Sequence, residues 1–366
     1  MTSGPNAVQS HAATACEAGK RAYDPTPAPR GMERGITSPT TPAFARRAAS
    51  TPILDLGTLP GGGQSFAYAL NADGVIVGES DTPGGRRAVR WTVTNGSPAI
   101  TDLTTVASFP AGTAATSAFD INTRGLVVGV MEAIGGRRAF LLEGTVLTDL
   151  GVLPGDVHSS AAALNDAVPV QVVGASGSSA FIWTAATGMQ ALPHLSLDGP
   201  TFATGVNAAG IVIGYSSVAN ASSAVRWQQG QGGWTVTELP SGAFAGATDL
   251  NESGDATGSR RSATGMAHAY LWPTGGGSVD LGTLGGNASH ALGINGGGET
   301  VGWSYNRTGV QRAFWWNGTR MTDLGALVKV GQAGAEAIND RGLVVGWSRT
   351  SGGSGALSHA VLWTTR

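Results

Sequence analysis

A short phrase, A-x-x-[LIV]-N, returns seven times along the chain: Ala67/Asn71, Ala118/Asn122, Ala161/Asn165, Ala203/Asn207, Ala247/Asn251, Ala291/Asn295 and Ala335/Asn339. The steps between successive Asn residues are 51, 43, 42, 44, 44 and 44, a period that belongs to propeller and solenoid arrays. In six copies the Asn is followed by N-x-x-G: Gly74, Gly125, Gly210, Gly254, Gly298 and Gly342. A glycine there suits a tight hairpin in which one residue takes positive φ. The third copy has Val168 in that place, and its turn runs two residues longer, toward Gly174.

Each turn leads into an apolar, β-branched run ending in Gly, as in Val75 to Gly78 and Leu343 to Gly346. Then comes A-x-x-W, as Ala88/Trp91, Ala180/Trp183, Ala224/Trp227, Ala269/Trp272, Ala313/Trp316 and Ala360/Trp363, with Leu142 replacing Trp in the second copy. A short strand ending in Asp-Leu or a relative closes each unit, as in Asp102-Leu103 and Asp323-Leu324. Four strands of five or six residues with short hairpins fill such a repeat. No stretch sustains a 3.6-residue apolar period, so no long helix is expected.

A lone four-stranded sheet of this size cannot bury both faces, whereas wedges stacked around an axis can, leaving only short edges. The seventh copy stops at Arg366 without a fourth strand, while an orphan Ile53-Leu54-Asp55-Leu56 precedes the first copy. The expectation is an all-β, seven-bladed β-propeller closed by an N-terminal strand that completes the last blade. Expected blades span about 57–103, 104–150, 151–192, 193–239, 240–281, 282–324 and 325–366 plus 51–56. An open solenoid gives the orphan strand no role.

The first 50 residues, rich in Ala, Pro, Thr, Ser and Arg, read as a disordered leader. Neither a secretory apolar core nor a membrane span is evident, so the expectation for the chain as written is cytoplasmic. With 22 basic and 24 acidic residues and no concentrated basic stretch, a nucleic-acid partner is not expected. Cys16 is the sole cysteine, so no disulfide is expected within the array. No P-loop, G-x-S-x-G elbow, H-E-x-x-H or calcium loop occurs, and neither cofactor nor metal is expected.

Leu281-Gly282-Thr283-Leu284-Gly285-Gly286, Ala291 to Asn295, Val301-Gly302-Trp303-Ser304 and Arg312-Ala313-Phe314 resemble the bacterial HAF repeat family. His268-Ala269-Tyr270, His359-Ala360-Val361 and Arg138-Ala139-Phe140 are variants of its namesake triplet. The resemblance spans about residues 51–366. It implies a propeller-like array, often on exported proteins, and brings no established activity or catalytic residues.

Comparison between copies shows where a site is expected. Two residues before the Asn, Asp120 and Asp249 interrupt a series of Ala and Gly; one residue earlier stand Tyr68 and Glu336; five before the Asn stand Phe66, Phe202 and His290. His158 lies at the mouth of the third inner strand. Such polar outliers on an inner strand commonly serve neighbouring backbone. Their functional reading is convergence on one axial cavity, with His290, Asp249, Asp120 and Glu336 as acid, base or charge-stabilising groups. Under that reading His158, Tyr68, Phe66 and Phe202 contact ligand, and Arg86 and Arg137, each from a Gly-Gly-Arg-Arg loop, hold a carboxylate or phosphate. His268 and His359 occupy a slot that other copies fill with Arg, and read as framework. Two functions remain open: a monomeric propeller that binds a small molecule, glycan or protein, and a cofactor-independent lyase, cyclase, isomerase or hydrolase acting on an apolar metabolite.

Overall fold

The computed structural model describes residues 53–366, except 197–198, 219–220, 243, 263–264 and 354. The expected leader, residues 1–50, and Cys16 lie outside the described residues. Seven four-stranded antiparallel sheets form the blades of a β-propeller. The first contains Ser65–Leu70, Ile76–Thr82, Gly85–Thr94 and Ser97–Asp102, in that order from inner to outer strand. The seventh takes Ala333–Ile338, Leu343–Arg349 and Ser358–Thr364 from the end of the chain, and its outer strand is Leu54–Gly57 from the beginning. Leu54 pairs with Leu362 and Asp55 with Val361.

The inner strands are Ser65–Leu70, Ala115–Ile121, Ser159–Leu164, Thr201–Val206, Ala245–Leu250, Gly285–Ile294 and Ala333–Ile338. In all seven, the register slips between the Ala of the repeated phrase and the residue two later. That slip is a β-bulge, with one extra residue on the inner strand. It brings the carbonyl preceding the Ala over the glycine of the second strand. A Cβ on Gly78 would run into the Phe66 carbonyl oxygen, and one on Gly302 into that of His290. The repeated glycine is therefore a point of close backbone approach. It does not end its strand, contrary to the sequence expectation: Ile76–Thr82 continues four residues past Gly78.

The Asn of each phrase closes its own turn and also joins two blades. Its Oδ1 accepts from a backbone N–H just beyond the turn, four residues on in six copies and six residues on, at Gln171, in the third. Its Nδ2 donates to the backbone carbonyl of the next blade's Asn, at 2.9 to 3.4 Å. The last of these runs from Asn339 to Asn71 O, so seven side chains complete a ring about the axis. Buried amides need such partners, and here the same residue type answers the need at every junction.

Hydrophobic cores form between blades, one at each of the seven junctions. The closing junction resembles the others, with Leu56, Ile76, Trp91, Val345 and Leu362 in a single cluster. Trp91, Trp227 and Trp272 are wholly buried, and Trp227 Nε1 donates to Pro193 O at 2.7 Å. Five junctions add a Ser or Thr, six residues before the Asn, that accepts from the backbone N–H of the preceding blade's A-x-x-W alanine. The other two have Ala245 and Ala333 there. Among the described residues no helix is long and apolar enough to cross a membrane.

Candidate functional site: an acidic axial cavity

The inner strands enclose an axial cavity of about 250 Å³. It is lined by Asp120, Asp249, Glu336 and Tyr68, and closer to the Asn ring by Asp166 and Glu252. No Lys, Arg or His is among its lining residues. Three of the four residues expected as catalytic therefore share one hollow, but His290 does not line it.

Local structure explains the carboxylates. Asp120 Oδ1 accepts from Ile121 N at 2.9 Å, and its Oδ2 from Leu164 N in the next blade at 3.1 Å. Asp249 repeats the arrangement, with Leu250 N at 2.9 Å and Ile294 N at 3.0 Å. Each aspartate thus braces an interblade junction through two amides. The bulge residues Thr204 and Thr248 serve the backbone too, donating to Ala247 O and Ala291 O of the next blade at 2.9 Å each. Nearer the Asn ring, Asp166 accepts from Thr123 N and Oγ1, and Glu252 from Ala208 N. Glu336 is buried on the bulge of the seventh inner strand.

The aromatic outliers group toward the start of the inner strands. Tyr68 stacks on Phe66 and meets Phe119 edge-on at 5.6 Å, and Phe66 meets Trp347 edge-on at 6.4 Å. Tyr68, Phe119, Val130 and Phe66 form an apolar cluster separate from the seven interblade cores. Phe202 is buried and stacked on Tyr215 at 4.9 Å. It therefore lies in a local aromatic pair and is not among the cavity-lining residues.

His290 stacks on Trp303, with ring centroids 4.5 Å apart. Burial pushes its imidazole down to about 4, so it is neutral at pH 7. In the unfolded chain the same group takes up its proton near pH 6.5. Its depressed folded-state value stabilises the fold fully above that pH and progressively less as pH falls toward 4, by at most about 3 kcal/mol. Urea denaturation at pH 7 and pH 4.5 should show this loss in the native protein and a smaller one in His290→Phe. An unchanged pH dependence in the variant would rule the assignment out.

The remaining expected ligand groups have partners within the protein. His158 Nδ1 accepts from Arg137 N at 3.2 Å, between the second and third blades and away from the axial cavity. Arg86 pairs with Glu79 at 3.1 Å, and Ser117 Oγ donates to the same carboxylate at 2.6 Å. Arg137 pairs with Glu132 at 3.0 Å. The two Gly-Gly-Arg-Arg loops thus meet the protein's own carboxylates, which the sequence expectation did not include. His268 lies 3.0 Å from Asp280 and His359 2.9 Å from Asp55, each tying the third strand of its blade to the outer one. No group of three or more His, Cys, Asp or Glu among the described residues is arranged to hold a metal ion.

Neither a family model nor a curated protein sequence matches the chain. Solved structures resemble it in shape. A streptogramin B lyase structure has a TM-score of 0.49 at 10% identity, covering 86% of this chain and 97% of that one. Virginiamycin B lyase from Staphylococcus aureus gives 0.47 at 11% identity, covering 85% and 98%. TolB from Acinetobacter baumannii gives 0.42 at 10% identity, covering 79% of each. Likeness at this level concerns the fold alone and lends nothing to the choice of activity.

Proposed function

We propose that this propeller is a binding protein whose axial cavity takes a small ligand carrying a protonated amine. The observation that carries the proposal is the sign of the lining: Asp120, Asp249, Glu336, Asp166 and Glu252, with no basic side chain among them. Clustered carboxylates in a recess of low dielectric favour a cation strongly. Binding is favoured over catalysis because Asp120 and Asp249 are held by backbone amides of two blades, and because His290, the expected acid or base, stands outside the cavity. The HAF-like repeats, which bring no established activity, are in keeping with such a role.

Calorimetric titration of benzylamine into the full chain at pH 7 tests this reading, with benzyl alcohol as the uncharged control. Benzylamine should bind and benzyl alcohol should not. Glu336→Gln removes one carboxyl group at nearly constant shape and should weaken binding about 10-fold, the value of one charge-assisted contact. Equal affinity for amine and alcohol, or an unaffected Glu336→Gln variant, would count against the proposal.

A further inference from the structure

The geometry points to a second site, a pocket for a small organic carboxylate between the first two blades, with Arg87 as its anchor. In three blades the third-strand slot holding this residue type forms an ion pair with the aspartate of the outer strand: His268 with Asp280, Arg312 with Asp323 and His359 with Asp55. Arg312 makes its pair through Nε, which lies 3.1 and 3.3 Å from the two carboxylate oxygens. In the first blade the corresponding residues are Arg87 and Asp102, and they form no ion pair. Asp102 Oδ1 accepts instead from Thr104 N at 2.8 Å and Thr104 Oγ1 at 2.7 Å.

Among the described residues, Arg87 is held only by backbone carbonyls. Its Nη1 donates to Ala114 O at 3.0 Å and Arg86 O at 3.2 Å, and its Nη2 to Gly84 O at 3.4 Å. These three bonds leave Nε–H and one of the two Nη2–H, and Nε and Nη2 share the guanidinium edge that the two oxygens of a carboxylate match. The Nε–H is also the donor that Arg312 gives to Asp323.

The enclosure around Arg87 comes from the one long step in the repeat. Part of the 51-residue spacing from Asn71 to Asn122 is extra chain after the first blade, 19 residues from Leu103 to Asn122 against 15 from Leu150 to Asn165, and it forms the 3-10 turn Leu103–Thr105 and the loop beyond it. That loop and Arg87 line a cavity of about 460 Å³. Thr104, Thr105 and Ser108 supply hydroxyls, Val106 and Phe109 supply apolar wall, and no acidic residue lines it. Phe109 is fixed edge-on against Phe140 at 5.5 Å. A guanidinium without an ion pair among the described residues, hydroxyls and an aromatic wall suit a carboxylate attached to an apolar body. Arg138, in the same slot of the second blade, also lacks an ion pair with its Asp149, but the following step is 43 residues and no inserted loop encloses it.

Titration calorimetry with benzoate, and separately with inorganic phosphate, tests the assignment on the full chain. Benzoate should bind saturably and more tightly than phosphate. Arg87→Gln should weaken benzoate binding about 10-fold or more, the effect of losing a charge-assisted pair of hydrogen bonds. Arg87→Lys keeps the charge but loses the two-donor edge, and should weaken it several-fold; Arg138→Gln should leave it unchanged. The assignment is overturned if benzoate does not saturate, if phosphate binds better, if both Arg87 variants bind like the native protein, or if Arg138→Gln weakens binding as much as Arg87→Gln.

Discussion

A chain lacking residues 1–57 should lose at least about 5 kcal/mol of stability relative to one lacking only residues 1–50. The shorter truncation stops before Ile53 and leaves every described contact in place. The longer one removes Leu54–Gly57, the outer strand of the seventh blade. Leu56 is fully buried in the closing junction, and burial of one such side chain stabilises by about 1.5–3 kcal/mol. The ladder to Ser358–Thr364 adds hydrogen bonds worth about 1 kcal/mol each, and Ile53 and Leu54 contribute partial burial. Asp55 also leaves His359 without its carboxylate. Thermal and urea unfolding of the two truncated proteins would measure the difference. Coincident midpoints would show that the ring does not depend on its first strand.

Gly302→Ala should cost at least about 4 kcal/mol or prevent folding, a penalty seen only where a specific packing rule is broken. The added methyl would collide with the His290 carbonyl oxygen, a backbone atom on the bulged inner strand that no rotamer change can move. Gly298→Ala is the matched comparison. Gly298 sits in the turn at φ +79°, with nothing within 4 Å of a Cβ, so its alanine suffers backbone strain alone, about 1–2 kcal/mol. Urea denaturation of both variants distinguishes collision from strain. If they lose the same amount, the close approach at the bulge is not what selects glycine in the second strand.

Much of the architecture was legible because the determinants repeat locally. Asn, the turn glycine, the strand glycine and the Trp recur at fixed spacing, and the orphan strand before the first copy matched the one missing after the last. The interblade bonds were not legible. The Asn amide reaches a carbonyl about one repeat away, and the Ser or Thr six residues before each Asn meets an amide of the preceding blade. Neither partner is visible in local spacing, although the recurrence of Ser65, Thr116, Ser159, Thr201 and Ser289 at one position was a signal open to reading.

The site divided in the same way. Comparing copies picked out Asp120 and Asp249, acidic residues in an Ala or Gly position, and Glu336, the one acidic residue in its slot, and all three share the cavity. It grouped His290 with them although that residue stands three positions before Gly293, the counterpart of Asp249. Three strand residues span about 10 Å, enough to place the imidazole beside Trp303 rather than in the hollow. The release of Arg87 could not be foreseen, since it depends on an inserted loop and on an aspartate that caps its own turn.

Side chains from separate blades face one central hollow, and among the described residues only acidic charge lines its wall. A crystal structure of the full chain soaked with benzylamine tests this most directly. Seven blades and ligand density on the axis are expected, with the ammonium in hydrogen-bonding reach of Glu336 and at least one of Asp120 and Asp249. Density confined to the outer surface, or carboxylates turned away from the axis, would contradict it.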